Sequence, residues 1–453
     1  MRQSIAFLCL SALLLGCSQG GDPPEAAAVV EKYPWDGASW ATDIIIDGPV
    51  EDQQAVRSFI HYLKQNVGEG RLGPFGDTNE KYKGRVFWDA DVWVFPALAL
   101  IDPDRAKAIT DYRQATSQWC QIRTCQELGG KFNEFAKKQR AVSHNFVNPE
   151  MPLKYPWESD SFGLDTTNAP TGKQEHVSGG VVWGLRLADD LGLAEPKRAR
   201  DIGEAVARYY VERSSVYIRD ARQIKGVVSV DEWHEGDNCL YTNAVADWTI
   251  KQFLGWNLKF KYPRNAKGEL VAYDGDPERA YQQAAAPLIL WPLEREDLVE
   301  DPIAFLDRFE GKEGPDGPAM SLSVYALIRA RYGDADHAHK TWRTSWKKYT
   351  DGNPQLLFSE RPGRKDLTYF NTGAAGCLNA VIYGFIGARI VDDASNDRAK
   401  IPLNNGRWLV FRPNLPKAWT KVTFKGVQVM GESYDVVCEG RTATVTKKLA
   451  AGQ

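Results

Sequence analysis

The sequence predicts a mainly α-helical body followed by a small C-terminal β domain, because the residue pattern changes once along the chain. From about residue 48 to residue 393, apolar side chains recur at the spacing of amphipathic helices. After Asp393 the chain is rich in Val, Thr and aromatic residues with Gly turns between the runs, which is typical of short strands. Roughly ten to twelve one-faced helices bury their apolar faces most economically in a closed ring of helical hairpins.

Helix starts and stops place the individual elements. Asp102 followed by Pro103 is an N-cap with proline at the first helical position, which predicts a helix over residues 103–112. Periodicity predicts further helices over 176–191, 196–217, 243–256, 277–290, 301–309, 318–332, 334–349 and 372–390. The predicted strands are 408–411, 421–430, 434–438 and 442–447.

The N-terminus has the pattern of an export signal. A basic residue, Arg2, precedes an apolar run over 5–15, and Gly16-Cys17 follows. Leu14-Leu15-Gly16-Cys17 resembles a bacterial lipobox, in which Cys17 becomes the lipidated first residue; the alternative is an ordinary signal with a chance cysteine. We therefore expect a lipoprotein signal peptide at 1–17, a flexible tether at 18–32, a catalytic domain at 33–395 and a β domain at 396–450. The chain would be lipid-anchored to a membrane of the bacterial cell envelope, on the periplasmic or cell-surface side.

Composition narrows the class of partner. The 453 residues carry a net charge of −3, so there is no basic field to attract nucleic acid. The 15 Trp and 18 Tyr could fill the core or line a carbohydrate cleft, and content alone favours the core. No Cys/His spacing indicates a metal site, and no cofactor is expected. The oligomeric state is left open.

Five cysteines remain beyond the signal. Cys120 and Cys125 could form a local disulfide in an exported chain, although their spacing is unfavourable within one regular helix, and both alternatives stay open. Cys239, Cys377 and Cys438 are expected to be buried as small apolar residues.

Four segments pair a carboxylate with an aromatic ring at the boundary of an element. Sugars need this pairing, since carboxylates accept hydrogen bonds from hydroxyls and rings cover apolar sugar faces. For any single carboxylate, a helix cap or a surface ion pair is the simpler interpretation. The four segments are Val230 to Asn238, Gly84 to Pro96, Tyr155 to Asp160 with Glu175-His176 downstream, and Phe358 to Glu360 followed by Phe370 to Gly376.

Together these segments resemble glycoside hydrolase family 65, and in particular its hydrolase branch. The resemblance covers about residues 33 to 440, with the motifs in the family's order. The matching motifs are Val86-Phe87-Trp88-Asp89, Ala106 to Arg113, Pro156-Trp157-Glu158-Ser159, Asp231-Glu232-Trp233-His234 and Tyr241-Thr242-Asn243.

The resemblance implies an (α/α) six-hairpin barrel followed by a small β domain. It places Glu232 on the family's general acid and Glu360 on the carboxylate that serves as general base in the hydrolase branch. The expected substrate-binding residues are Trp88, Asp89, Trp157, Glu158, Trp233, His234, Gln282 and Gln283. The family's Lys-Gln pair appears here as Gln282-Gln283, so a cation next to the bound sugar is replaced by a neutral amide.

These observations predict an inverting α-glycoside hydrolase that acts on a small α-glucoside such as an α-1,2-linked disaccharide. Inversion requires about 6.5–9.5 Å between the two carboxyl groups, against about 5–5.5 Å for retention. The acid is expected to have a raised pKa from burial. Two alternatives are a disaccharide phosphorylase and a non-catalytic sugar-binding lipoprotein.

Overall fold

The computed structural model describes residues 37, 39–140, 146–168, 171–216, 221–353, 355–367 and 369–448. Contacts divide the chain into two units, Met1–Pro34 and Trp35–Gln453. The predicted signal, tether and lipidated Cys17 lie outside the described residues, so they stay predictions. In the part of the chain that is described, no helix is both long and apolar enough to cross a membrane.

The described part of the chain is mainly helical, as predicted. Its helices are α1 (Val50–Asn66), α2 (Phe95–Ala99), α3 (Pro103–Leu128), α4 (Lys131–Arg140), α5 (Val177–Asp190), α6 (Pro196–Arg213), α7 (Leu240–Leu254), α8 (Pro302–Asp307), α9 (Ser321–Tyr332), α10 (Ala335–Thr350) and α11 (Asn371–Asn379). Side chains at the N-caps start four of them, because Asp102, Glu195, Asp301 and Asp334 accept hydrogen bonds from first-turn amides.

Two predicted helices, 103–112 and 277–290, are wrong in extent or type. The helix that starts at Pro103 continues to Leu128 instead of ending at residue 112. The segment 277–290 is not an α-helix, and only Ala286–Ile289 forms a 3-10 turn. Pro287 explains this in part, since it lacks the amide hydrogen that a helix interior needs.

The predicted helix over 372–390 changes type partway along. Residues Asn371–Asn379 are α-helical, Ala380–Phe385 form a π-helical turn, and the chain then enters a strand at Ala388. Gly387 ends the helical run with a φ of 69°, and a Cβ there would lie 2.0 Å from the carbonyl oxygen of Arg412. Only glycine fits both demands.

The C-terminal region forms two antiparallel sheets. The strands β8 (Ala388–Val391), β9 (Lys400–Pro402) and β10 (Trp408–Phe411) make one sheet in the order β8-β10-β9. The other has the order β1-β11-β12-β13 and consists of β1 (Asp43–Asp47), β11 (Lys421–Val429), β12 (Glu432–Glu439) and β13 (Thr442–Lys447). The four predicted C-terminal strands are confirmed. The sheet also takes in β1 from the other end of the described chain, since Ile45 pairs with Thr423.

Three pairs of short antiparallel strands lie within the helical region. They are β2 (Val86–Phe87) with β3 (Glu158–Ser159), β4 (Ser215–Val216) with β5 (Arg222–Gln223), and β6 (Val227–Val228) with β7 (Glu235–Gly236). The first and third pairs carry residues of the candidate site.

The cysteines outside the N-terminal segment are all unbridged and buried. Cys120 and Cys125 both lie on α3, where five residues rotate the side chains by about 140° and separate them by about 7.5 Å along the axis. A disulfide cannot span that arrangement. The prediction that Cys239, Cys377 and Cys438 are buried is confirmed.

Candidate active site

A cavity that is partly open to solvent gathers most of the predicted site residues. Seven of the ten predicted residues line it: Trp88, Asp89, Trp157, Glu232, Gln282, Gln283 and Glu360. The other lining residues are Pro74, Tyr82, Phe87, Pro318, Met320, Arg361 and Phe370.

The turn between β6 and β7 presents Glu232. The amide of Glu232 donates to the carbonyl oxygen of Ser229 at 2.9 Å, and the amide of Ser229 donates to that of His234 at 2.7 Å. Glu232 has a φ of 63°, a backbone conformation that residues other than glycine rarely adopt. A strained backbone held by a tight turn is frequent where a side chain must point into a site.

The residues on either side of Glu232 support this turn. The imidazole Nδ1 of His234 pairs with the carboxylate of the fully buried Asp231, and its ring stacks on Tyr273 with 5.2 Å between centroids. Trp233 is 54% exposed. Neither Trp233 nor His234 is among the lining residues of the cavity, so their predicted contact with substrate stays a prediction.

A neutral amide contacts the carboxyl group of Glu232. The side-chain Nε2 of Gln282 donates to its Oε2 at 3.1 Å. Burial raises the pKa of Glu232 to about 7, and the negative charges of Asp89 and Glu360 add to the shift, while Arg361 opposes it. A substantial fraction of Glu232 therefore carries a proton near neutral pH.

Gln174 is a further residue at the acid, and the sequence analysis did not identify it. Its side chain is 2% exposed, and the influence of its polar group on Glu232 opposes the rise in the pKa of that carboxyl. It directly precedes Glu175-His176, a pair that the sequence analysis included in one of the four segments, but nothing in the sequence singled out Gln174 itself.

Glu360 lies in a contrasting environment on the same cavity. Its side chain is buried, with Lys81 Nζ at 2.6 Å from Oε2 and the hydroxyl of Tyr82 donating to Oε1 at 3.1 Å. Arg361 Nε lies 3.5 Å from Oε1. One short ion pair, one hydroxyl donor and a second nearby cation stabilise negative charge on this carboxylate.

The short pairing of β2 with β3 brings the aromatic wall together. Val86 pairs with Ser159 and Phe87 with Glu158, so that Trp88-Asp89 on one segment and Trp157 on the other reach the same cavity. The rings of Phe87 and Trp157 meet edge to face at 5.0 Å.

Asp89 and Glu158 have different partners at this pairing. Thr372 donates to Asp89 Oδ2 at 3.0 Å, and burial raises the pKa of Asp89 to about 6, with the charge of Glu360 contributing. Glu158 is engaged instead with Arg85, 2.6 Å away, and does not line the cavity. Its predicted contact with substrate stays a prediction.

This arrangement can perform acid–base chemistry on a polar substrate. One carboxyl has a raised pKa, another is paired with a lysine and a tyrosine hydroxyl, and tryptophan and phenylalanine rings also line the cavity. Within the described ranges, no group of three or more His, Cys, Asp or Glu residues could hold a metal ion. Two carboxyl groups in contrasting environments on one cavity are the arrangement that glycoside-cleaving enzymes use.

Comparison with known families agrees with this class. The profile of the glycosyl hydrolase family 65 central catalytic domain matches residues 59–285, and that of the family 65 C-terminal domain matches residues 404–452. The chain belongs to glycosyl hydrolase family 65.

Individual relatives place the chain near hydrolases of the family. It is 28% identical over 425 residues to a kojibiose hydrolase of Flavobacterium johnsoniae, covering 87% of this chain and 57% of the relative. It is 28% identical over 386 residues to the protein-glucosylgalactosylhydroxylysine glucosidase of Danio rerio, covering 80% and 53%. The chain thus spans little more than half the length of these two relatives.

The fold also has a solved counterpart. A structure described as a candidate kojibiose phosphorylase from the human microbiome superimposes with a TM-score of 0.66 at 17% identity, covering 90% of this chain and 63% of that one. At this identity the likeness concerns the fold alone.

Proposed function

We propose that this chain is an inverting α-glycoside hydrolase whose general acid is Glu232 and whose general base is Glu360. The observation that carries the proposal is the contrast between these carboxyls on one cavity: burial and like charge raise the pKa of Glu232 to about 7, whereas Lys81 and Tyr82 bind Glu360 directly. Paired carboxyls with opposite protonation are what acid–base glycoside cleavage needs.

In the proposed reaction, Glu232 donates its proton to the glycosidic oxygen as the bond to the anomeric carbon breaks. Glu360 takes a proton from a water molecule, and the oxygen of that water bonds to the anomeric carbon from the opposite face. The products are a free alcohol on the leaving sugar and a released sugar of inverted configuration. The two carboxyls then return to their starting states by exchanging protons with solvent.

The substrate we propose is a small α-glucoside such as an α-1,2-linked disaccharide. The names of the hydrolase relatives support a glucoside, and Trp88, Asp89 and Trp157 supply ring faces and a carboxylate for the non-reducing sugar. Gln282 and Gln283 would contact the same sugar. No cofactor is needed for these steps.

We also propose an architecture and a location for the enzyme. The helices of residues 33–395 would close into an (α/α) six-hairpin barrel with a β domain at 396–450, which the fold likeness supports. The Leu14 to Cys17 motif supports a lipid anchor in the cell envelope. Replacing Cys17 by Ala should release the protein from the membrane fraction; unchanged membrane association would contradict the anchor.

A panel of α-linked disaccharides, assayed with and without inorganic phosphate, tests the function. We expect phosphate-independent release of glucose, with the β-anomer formed first when the product is followed by NMR. Turnover that requires phosphate would establish a phosphorylase instead, and initial release of the α-anomer would overturn inversion. Saturable binding without cleavage across the panel would establish a non-catalytic sugar-binding protein.

A further inference from the structure

A second cavity lies at the opposite ends of the helices that lead away from the candidate active site. Helix α5 begins directly after His176, whose ring contacts Trp88 at 4.7 Å, and runs for 14 residues to Asp190, which lines the second cavity. At 1.5 Å per residue the two ends are about 20 Å apart. We call this second space, which is partly open to solvent, the distal cavity.

Tryptophan rings form one side of the distal cavity. Trp183 and Trp248, on α5 and α7, are half-buried and line the space, while Trp291 is buried behind them. The ring of Trp291 is fixed by Trp183 at 5.6 Å and by Tyr383 at 4.9 Å. Rigid, partly exposed indole faces provide flat apolar surfaces at little cost in side-chain entropy.

Arginines outnumber carboxylates among the residues that line the distal cavity. Four arginines and two carboxylates line it: Arg186, Arg331, Arg389, Arg407, Asp190 and Glu294. Asp190 is engaged by Arg407 at 2.6 Å and by Arg186 at 3.1 Å. Glu294 pairs with Arg331. Both acids are therefore already bound by three of the four cations.

Arg389 is the remaining cation. Its guanidinium lies over the ring of Tyr332 at 5.6 Å, and its Nε is buried with no acceptor in the described part of the chain. Burial, together with the charge of Arg331, lowers the pKa of Arg389, while Glu294 and Glu296 oppose the shift. An incompletely paired guanidinium beside a cavity that is partly open to solvent is a ready partner for an external anion, which it can bind through two parallel hydrogen bonds.

We propose that the distal cavity is a second carbohydrate site, which binds an acidic sugar by pairing a uronate carboxylate with Arg389 and stacking the sugar ring on Trp183 and Trp248. The site is separate from the carboxyl pair of the active site. Arg389 selects an anionic sugar over a neutral one, because a neutral sugar leaves its Nε without an acceptor.

Calorimetric titration of the full chain with glucuronate tests the proposal, with methyl α-glucoside as the neutral probe. We expect saturable binding of glucuronate that Arg389→Gln weakens at least tenfold, because a charge-assisted pair is lost. Trp248→Ala should also weaken it. The matched controls are Arg398→Gln and Trp119→Ala, which change exposed residues outside the cavity and should leave glucuronate binding unchanged.

Two further comparisons separate this site from the proposed active site. Glu232→Gln should retain glucuronate binding, and Arg389→Gln should retain hydrolysis of the neutral disaccharide. Equal glucuronate binding by wild type and Arg389→Gln, no saturable binding, or loss of binding in Glu232→Gln would each overturn the proposal. If Arg389→Gln does not fold, Trp248→Ala decides, and unchanged binding in that variant would refute the site.

Discussion

Glu232 and Glu360 face the same cavity from supports of opposite kinds. Glu232 lies in the turn between β6 and β7, and a neutral amide, that of Gln282, donates to its carboxyl group. Glu360 follows a loop segment and contacts Lys81 and the hydroxyl of Tyr82 directly. Burial raises the pKa of Glu232, whereas Glu360 is paired with Lys81. Two residues of the same type are therefore suited to opposite roles, one as proton donor and the other as proton acceptor.

The largest effect should come from removing each carboxyl in turn. Glu232→Gln and Glu360→Gln should each reduce disaccharide turnover by roughly 10²–10⁴-fold, the usual contribution of a general acid or base. α-Glucosyl fluoride separates the two roles, since its leaving group needs no proton. Glu232→Gln should retain most activity on the fluoride, and Glu360→Gln should lose it.

Glu235→Gln is the matched control for this pair. Glu235 lies on β7 three residues after the acid, and its carboxylate pairs with Lys173 at the surface. Its substitution should leave turnover of both substrates unchanged. If Glu232→Gln lost the same fraction of activity on disaccharide and fluoride, Glu232 would not be the proton donor.

The next effect concerns the cation at the base. Lys81→Gln should lower kcat by about tenfold to a hundredfold with a smaller change in KM, because the charge-assisted bond that orients Glu360 is lost. Lys83→Gln, an exposed lysine two residues away, is the control. A change confined to KM would show that Lys81 binds substrate rather than positioning the base.

A smaller effect should follow from placing a cation at the acid. Gln282→Lys would bring positive charge to Glu232 and lower its pKa from about 7. The acid must be protonated to work, so the alkaline limb of the pH–rate profile should move to lower pH, by about one pH unit. Gln65→Lys, which adds the same charge at an exposed position, should leave the limb in place.

The residues around Glu232 that line the cavity could be predicted from sequence. Glu232, Trp88, Asp89 and Trp157 each belong to a local carboxylate–aromatic motif at an element boundary, and the cavity brings them together. The mainly helical body and the C-terminal strands also follow from local periodicity.

The support of the base could not be predicted in the same way. Lys81 and Glu360 are 279 residues apart, and nothing in the polar segment around Lys81 indicates that it reaches a carboxylate. The segment with Gln282 was wrongly predicted, because the periodicity of residues 277–290 indicates a helix that the structure does not have. Its side chains are directed by tertiary contacts: Gln283 donates to the carbonyl of Val230, and the backbone of Ala284 to Ser321.

The smallest effect is on stability, where Glu232→Gln and Glu360→Gln should change the melting temperature in opposite directions. A carboxyl whose pKa is raised in the folded state binds more protons there than in the unfolded chain, so Glu232 makes the protein less stable as pH rises from about 4 to about 7. Glu232→Gln removes that loss. Its Tm relative to wild type should increase by a few degrees from pH 4.5 to pH 8.

Glu360→Gln leaves Lys81 without its partner and should lower Tm at pH 8. Thermal unfolding of the three proteins across this range provides the measurement. If the two variants shifted Tm in the same direction at pH 8, the contrast between a desolvated acid and an ion-paired base would be wrong.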